Sequence, residues 1–422
     1  MADILVVSQR FWPEDQKIND IVQGFLDRGH KVDVLCGKPN YPAGEFYKGY
    51  STFSPKKEIL TNGTIYRAAE IKRSSGSPIR KFLNYASFPM AAALKAGRLK
   101  KNHYDAVLVY QTSPLTMAGA AFKVAKHRKI PVTIYAIDIW PDSIIEELDI
   151  HSPLLKSRIR ATANKYYNGA DRIVAAGDMA ESFFLKQMDM PRFKVAEIPL
   201  CPDERLLQEI RSPLIMERYQ GSFNIVYTGR LDEDKDIETV IRAAQFLNNK
   251  GLRDIRFIIV GTGENLDSIR QDIWKKGLND MFFIEDLTRP DEISKFTFIA
   301  DALLAITLPE EDSSLKFNTE VIDYMAAGRP IISLMGSAEK RLISRAGCGF
   351  AAETGNPEEL AEVILKLYRM ETEKLEEYGR NARKYQMEHF NRDECIDRLL
   401  DVMLGKDIPK EGEESSVFIM ED

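Results

Sequence analysis

The sequence predicts an α/β fold in which two domains are each built on a doubly wound parallel sheet. Three observations lead there. Short apolar runs recur along the chain and stop at Gly, Pro or polar turn residues, as buried strands do. Between them lie stretches with apolar residues at helical spacing, and strand–helix–strand units of that kind need parallel pairing. The chain has 422 residues, too many for one typical core and suited to two domains.

Composition narrows the class. Hydrophobic residues make up 44% and charged residues 29%, which describes a soluble globular chain rather than a disordered one. A formal net charge of -6 gives no whole-protein case for nucleic acid. Cys36, Cys201, Cys348 and Cys395 are far apart, without C-x-x-C pairing, and are expected to be reduced thiols in a cytosolic protein. The early run ILVVS is too short for a secretory leader, so the mature chain is expected to start at residue 1 or 2. Residues 106–122 form the longest uncharged run, but Pro114 interrupts it and it reads as strand, turn and helix. A spanning helix needs roughly 20 apolar residues, so no bilayer crossing is expected.

In chain order, residues 4–8 read as a strand, 18–28 as a helix with Ile18, Ile21, Val22, Phe25 and Leu26 on one face, and 32–36 as a strand. The loop inside this first unit carries Trp12, Glu14 and Gln16 at the carboxyl end of a strand, where open α/β sheets bind ligands. Residues 37–50, GKPNYPAGEFYKGY, are too long and too rich in Gly, Pro and aromatics for a plain connection. They suit a functional loop, or an excursion closed on its own tyrosines. Strands follow at 105–110, 132–136 and 173–176, with helices at 114–127 and 154–167. The turn after 132–136 holds Asp138 and Asp142; the latter also suits a first helical turn, where the dipole favours a carboxylate.

Residues 71–104 contain no acidic side chain. Arg80 and Lys81 precede an apolar run that begins at Phe82, and Lys95, Arg98, Lys100 and Lys101 follow it. A basic amphipathic helix of this kind suits an anionic membrane surface; it equally suits a core-facing helix with solvated ends.

The polar stretch 203–219 reads as a linker. Beyond it, strands are expected at 224–228, 255–260, 281–284, 302–306 and 330–334, and helices at 237–249, 265–276, 291–296 and 321–327. Residues 357–403 have helical periodicity nearly throughout, and 406–422 form an acidic tail expected to fray. The second half is organised around FNIVYTGRLDEDKD, residues 223–236, where an apolar strand ends at Gly229 and is followed by Arg230 and Lys235. A Gly turn, two cations and a helix start suit a diphosphate; the same pattern suits an ordinary strand–helix corner with a solvated basic rim. Gly261-Thr262-Gly263 lacks the third glycine of a dinucleotide fingerprint, which excludes a nicotinamide site and leaves room for a backbone contact to another nucleotide.

The stretches ILVVSQRFWPE (4–14), RGHKVDVLCGKPNYP (28–42), DIWPDS (138–143), GRLDEDK (229–235), VGTG (260–263) and IDYMAAGRPII (322–332) together resemble GT-B glycosyltransferases of retaining family 4. More narrowly they resemble its bacterial surface-polysaccharide members that transfer N-acetylated amino sugars. The resemblance implies two Rossmann-like domains facing across a cleft. It puts the acceptor on 1–203 and the nucleotide-sugar on 220–372, with helices at 373–405 packing back on the first domain. It implies that Arg230 and Lys235 bind the donor diphosphate and act catalytically, since negative charge grows on that group as the sugar bond breaks. Asp138 would support catalysis or orient the acceptor, and Trp12, Glu14, Gln16 and Asp142 would line the acceptor side. Gly229, Gly261, Gly263, Lys316, Asn318, Thr319, Glu320 and Asp323 would bind the donor, Asp323 at the ribose.

The chain departs from the family pattern at one place. The family's first glutamate falls on Leu315, so recognition of sugar hydroxyls by a carboxylate at the usual position is not supported. Some polysaccharide-type members also lack it and carry Pro-Ser-Lys where this chain has Asn318-Thr319-Glu320. The implied protein is metal-independent, takes a UDP-linked sugar and a lipid-linked or glycan acceptor, and works at the cytoplasmic membrane face. A nucleotide-sugar epimerase of the same fold and a non-catalytic binding or scaffold protein are the alternative readings.

Overall fold

The structure, a computed structural model, describes residues 1–41, 44–51, 57–72, 78–231, 235–263, 265–286, 292–308 and 319–406, with 78, 79, 81, 146, 147, 204 and 286 described by backbone alone. It divides into two compact units. One holds Met1–Leu200 and the chain from Arg392; the other holds the described residues from Cys201 to Asn391.

The first unit contains β1 (Asp3–Val7), α1 (Lys17–Asp27), β2 (Lys31–Cys36), β3 (Lys57–Leu60), β4 (Gly63–Arg67), α2 (Pro78–Leu99), β5 (Ala106–Gln111), α3 (Ala118–Arg128) and β6 (Val132–Ala136). It continues through α4 (Asp142–Glu147), α5 (Pro153–Gly169), β7 (Arg172–Ala175), α6 (Asp178–Ser182) and β8 (Val195–Glu197). The sheet order is β3-β4-β2-β1-β5-β6-β7-β8. All neighbours are parallel except β3, which pairs antiparallel with β4 from Lys57↔Tyr66 to Leu60↔Gly63. The central strand is apolar without alternation, Ile4 to Val7, and wholly buried, as a parallel strand covered on both faces must be. Helix α1 turns Ile18, Ile21, Val22 and Phe25 inward.

The β3–β4 hairpin was not expected from the sequence. Its first strand is a half-exposed edge, with Ile59 88% exposed, so it carries little apolar signal; only Asn62-Gly63 marks the turn.

The second unit contains α7 (Pro213–Tyr219), β9 (Phe223–Arg230), α8 (Ile237–Asn249), β10 (Ile255–Thr262), α9 (Leu266–Lys275), β11 (Phe282–Asp286), α10 (Ile293–Phe298) and β12 (Ala302–Ile306). It continues through α11 (Glu320–Ala327), β13 (Ile331–Leu334), α12 (Ser337–Ala346), β14 (Gly349–Ala351), α13 (Pro357–Tyr368) and α14 (Thr372–His389). Its sheet is parallel in the order β11-β10-β9-β12-β13-β14. The stretch 203–219 is not a bare linker. It carries a short 3-10 turn at Glu204–Leu207 and α7, both within this unit.

The helices after residue 372 divide differently from expectation. Helix α14 stays with the second unit: Gly379 lies where a Cβ would come within 2.3 Å of the Gly328 carbonyl oxygen. The last helix, α15 (Arg392–Leu404), belongs to the first unit. It buries Ile396, Leu399, Leu400, Val402 and Met403, and a Cβ at Gly24 of α1 would meet Ile396 Cδ1 at 2.3 Å. Arg28 fixes the pairing through Asp397 at 2.5 Å and Asp393 at 3.1 Å. The expected helical block 373–405 therefore splits at Asn391/Arg392. The expected tail lies outside the described residues beyond 406. Among the described residues no helix is long and apolar enough to cross a membrane.

In each sheet the strand order reverses once near the centre, between β1 and β5 in one unit and between β9 and β12 in the other. Ligands of open α/β sheets bind beyond the carboxyl ends of the strands at such points. Because α15 contributes core to the first unit, Ile396→Ala is expected to cost that unit about 2–5 kcal/mol in urea denaturation of the full chain.

Candidate functional site

At the reversal in the second unit, β9 leaves the sheet through Gly229, whose φ of 148° lies in the range that favours glycine. The neighbouring strand comes close there. A Cβ on Gly261 would fall 1.8 Å from the Gly229 carbonyl oxygen, and one on Gly263 would fall 2.2 Å from that of Leu231. Backbone approach alone therefore requires both glycines. Helix α8 is capped by Asp236, which accepts from the Thr239 N–H at 3.2 Å and from the Gly355 N–H at 3.0 Å.

Lys235 precedes that cap. Its Nζ donates to the Ile306 carbonyl oxygen at 3.0 Å and to Glu320 Oε2 at 3.1 Å. The two side chains are only 10% and 13% exposed. Ile306 ends β12 and Glu320 opens α11, so the ion pair stands at the reversal. Burial pushes the Glu320 carboxyl up, and the Lys235 ammonium pulls it back down. Arg230 is half-buried, and its carbonyl accepts from the Tyr227 hydroxyl at 2.7 Å. Tyr324 ties α11 to β9: its hydroxyl accepts from the Thr228 N–H at 2.9 Å and donates to the Thr228 carbonyl at 3.3 Å.

Asp323 Oδ1 accepts from the Asp203 N–H at 2.6 Å, which engages one oxygen of the expected ribose ligand in holding the 3-10 turn. Thr319 caps α11 without a side-chain bond. Lys316, Asn318 and Leu315 lie outside the described residues. Of the expected donor residues, the structure gathers Gly229, Arg230, Lys235, Gly261, Gly263, Glu320 and Asp323 at the strand ends and the start of α11. Two cations beside a capped helix N-terminus can hold an anion, here with a carboxylate already against one of them.

The first unit carries two polar clusters at its strand ends. In one, Glu14 is 2% exposed, and its Oε1 accepts from the Asn40 and Tyr41 N–H groups at 2.7 Å each. Burial pushes its carboxyl up, against those two bonds. Glu70, also buried, accepts from the Asn40 side-chain amide, and Gln9 donates to Asn84 Oδ1 at 3.0 Å. Arg10 stacks on Tyr41 at 3.5 Å from the ring centre. Glu14 thus serves as the internal tie between the loop after β1 and the 37–50 loop, while Trp12 is 60% exposed and Gln16 half-buried at the start of α1.

In the other cluster, Asp138 is 9% exposed. Ser113 donates to its Oδ2, Trp140 Nε1 donates to the Ser113 hydroxyl at 3.0 Å, and Gln111 donates to the Asp138 carbonyl. Tyr167 closes the ring, donating to Gln111 Oε1 at 3.0 Å and accepting from the Trp140 N–H at 3.1 Å. Among the described residues Asp138 Oδ1 is buried with no hydrogen-bond partner. Asp142 instead stands exposed in the first turn of α4. The partners Gln111, Ser113, Trp140, Tyr167, Asn40 and Glu70 were not singled out in the sequence; the one available signal was polar residues placed just after apolar strands.

A third feature is a helical face. Helix α3 neighbours both α2 and α5: Lys123 of α3 donates to the Ala93 carbonyl of α2 at 2.8 Å, and Phe122 of α3 meets Tyr166 of α5 with ring centres 5.8 Å apart. All three helices lack Asp and Glu. On α2, Phe82, Met90 and Leu94 are 57%, 70% and 77% exposed, and Arg80, Arg98 and the following Lys101 are exposed beside them. Lys95 and Lys100 are half-buried, and the Lys81 side chain lies outside the described residues.

The buried carboxyls make a pH prediction. Glu70 is held well above its ordinary 4.5, first by burial and then by the Glu14 charge. A carboxyl raised in the folded state stabilises the fold below its unfolded value and loses that contribution as pH rises through the folded value. The melting temperature is therefore expected to fall as pH rises from about 5 towards 8, and Glu70→Gln is expected to flatten that fall in a pH series of thermal melts.

A family model for Glycosyltransferase Family 4 matches residues 18–204, and one for glycosyl transferases group 1 matches residues 215–385. The uncharacterized glycosyltransferase MJ1069 of Methanocaldococcus jannaschii is 23% identical over 230 residues, 53% of this chain and 56% of that protein. The amylovoran biosynthesis glycosyltransferase AmsK of Erwinia amylovora is 26% identical over 144 residues, 34% of this chain and 35% of that one. The matches thus span about half, or less, of the length of these relatives. Among solved structures, Anabaena Alr3699/HepE in complex with UDP superposes with a TM-score of 0.67 at 15% identity, over 96% of this chain and 100% of that one. Two parallel-sheet units, each matched by one of the two family models, make this chain a member of the GT-B glycosyltransferases.

Proposed function

We propose that the protein transfers a sugar from a nucleotide-sugar, UDP-linked and of the N-acetylated amino-sugar kind, to a lipid-linked or glycan acceptor in surface-polysaccharide synthesis. The observation that carries the reading is the pair Arg230, which ends β9, and Lys235, just beyond it, at the point where the second sheet reverses its order. As the bond between the anomeric carbon and the diphosphate breaks, the leaving oxygen gains negative charge. Cations fixed there stabilise the transition state more than the ground state, which does the work a metal would otherwise do. In the retaining course proposed here, the acceptor oxygen bonds to the anomeric carbon on the face the diphosphate leaves, and the acceptor proton passes to the leaving phosphate. Asp138, with its buried Oδ1, would receive a hydrogen bond from the acceptor. AmsK, named for amylovoran biosynthesis, supports a polysaccharide role, and the UDP complex of HepE supports a uridine diphosphate donor.

The acid-free face of α2, α3 and α5 supports a peripheral position on an anionic membrane, where lipid-linked acceptors reside. Its cations would meet lipid phosphates while Met90 and Leu94 enter the interface.

Two outcomes are expected. In thermal melts against UDP, GDP, ADP, CMP and dTDP with and without magnesium, UDP alone raises the melting temperature and magnesium adds nothing. Arg230→Ala removes that shift and lowers transfer by about 100-fold or more while the ligand-free melt is unchanged; full activity in this variant would sink the assignment. In sedimentation with phosphatidylglycerol vesicles, the wild type is expected to pellet and to stay soluble with phosphatidylcholine alone. The double variant Leu94→Glu, Arg98→Glu is expected to lose the pelleting.

A further inference from the structure

The ion pair between Lys235 and Glu320 bears on how the donor binds. A lysine meant for a diphosphate is most useful with its charge uncompensated, yet Lys235 Nζ lies 3.1 Å from a carboxylate oxygen and both side chains are nearly buried. At that distance and depth a phosphate and Glu320 cannot both remain anionic around one ammonium without strong repulsion. We propose that Glu320 is the counter-ion that the donor displaces: when a nucleoside diphosphate takes up Lys235, Glu320 gives up that partner and binds one proton from solvent, so that donor binding is proton-linked. This rests on the donor-site reading of Arg230 and Lys235, and it adds the residue that sets how strongly the site attracts the donor.

The surroundings favour this exchange. Burial already biases Glu320 towards its neutral form, and the Lys235 ammonium is the largest influence in the opposite direction. Lys235 is the cation that acts on Glu320 most strongly, and Arg230 at the end of β9 is the site's other cation. On the helix of Glu320 stand Asp323, which disfavours its charge, and Tyr324, whose hydroxyl is committed to Thr228. From the 3-10 turn packed on α11, Arg205 is bound to Asp203, whose N–H holds Asp323. From α14, Arg383 reaches the Ala326 and Leu207 carbonyls at the other end of α11. Lys235 keeps its bond to the Ile306 carbonyl in either state, so the ammonium moves little; what changes is the anion it faces.

The test is titration calorimetry with the full chain and whichever of UDP, GDP, ADP or dTDP binds, at pH 7 to 8 in two buffers of different ionisation enthalpy. Wild-type protein is expected to take up protons on binding, and to bind more tightly as the pH is lowered towards 6. Glu320→Gln is expected to remove both the proton uptake and the pH dependence and to bind about tenfold more tightly, the effect of removing about one pK unit of competing interaction. Glu320→Met serves as the second variant, and the melt of each without ligand shows that it folds. Weaker binding in both variants, or binding without proton uptake in the wild type while Arg230→Ala still weakens it, overturns the counter-ion role and leaves the donor site standing. If Arg230→Ala and Glu320→Gln both leave binding unchanged, or if no nucleotide binds, the donor-site reading itself falls and this inference with it.

Discussion

A parallel strand covered on both faces satisfies its backbone within the sheet and buries its side chains, so polar chemistry is pushed to its ends. In this protein that constraint governs both units. Ile4 to Val7 and Ile225 to Tyr227 are buried, with the Tyr227 hydroxyl as their one polar side-chain group, and polar or cationic side chains follow directly, at Ser8 to Arg10 and at Thr228 to Arg230. Where the strand order reverses, the chains leaving two adjacent strands turn to opposite faces and leave a gap at the carboxyl edge. Lys235, Ile306 and Glu320 come from three separate segments and meet at one such gap.

The same constraint explains why each unit keeps a network of buried polar side chains rather than isolated ones. A buried carboxylate without donors costs several kcal/mol. Glu14 is given two backbone N–H groups, Asp236 two more, and Asp138 a serine hydroxyl that is itself held by an indole N–H. These bonds add to the buried apolar side chains of the same loops, such as Phe11, Ile139, Trp140 and Leu231, in positioning the chain beyond the sheets. Asp138 differs from the others in having one oxygen without a partner among the described residues.

Much of the fold was legible because buried parallel strands are read from apolar runs, and the central strands β1, β5, β6, β9, β10 and β12 are of that kind. What escaped was whatever lacked a two-sided core. The edge hairpin β3–β4 alternates weakly, β14 is three residues long, and α7 is seven residues long and leaves Leu214 and Met216 exposed. The helices after residue 372 all show the same periodicity, and nothing in that periodicity tells α14, which packs on α11, from α15, which packs on α1; the distinction lies in Gly379 and Gly24, each fitted to a different partner. At the site, Arg230, Lys235 and the glycines were visible as a strand-end pattern. The Lys235–Glu320 pairing was not, because those residues are separated by 85 positions in sequence and only the reversal of strand order brings them together.

That pairing also changes how the donor site is understood. Read from the sequence, Lys235 and Arg230 are two like contributions to an anion clamp. In the fold they are unequal: Arg230 extends from the strand end itself, half-buried, whereas Lys235 is held deeper by a carbonyl and a carboxylate. Neutralising a buried cation keeps the ligand-free site from carrying an uncompensated charge, which would destabilise the fold. Glu320 sets an anion at the start of α11, against the deeper of the two cations. An anion there weakens the clamp when it is charged and restores it when it is neutral. The strength of the site is thus governed by the protonation of one side chain as well as by the number of its cations.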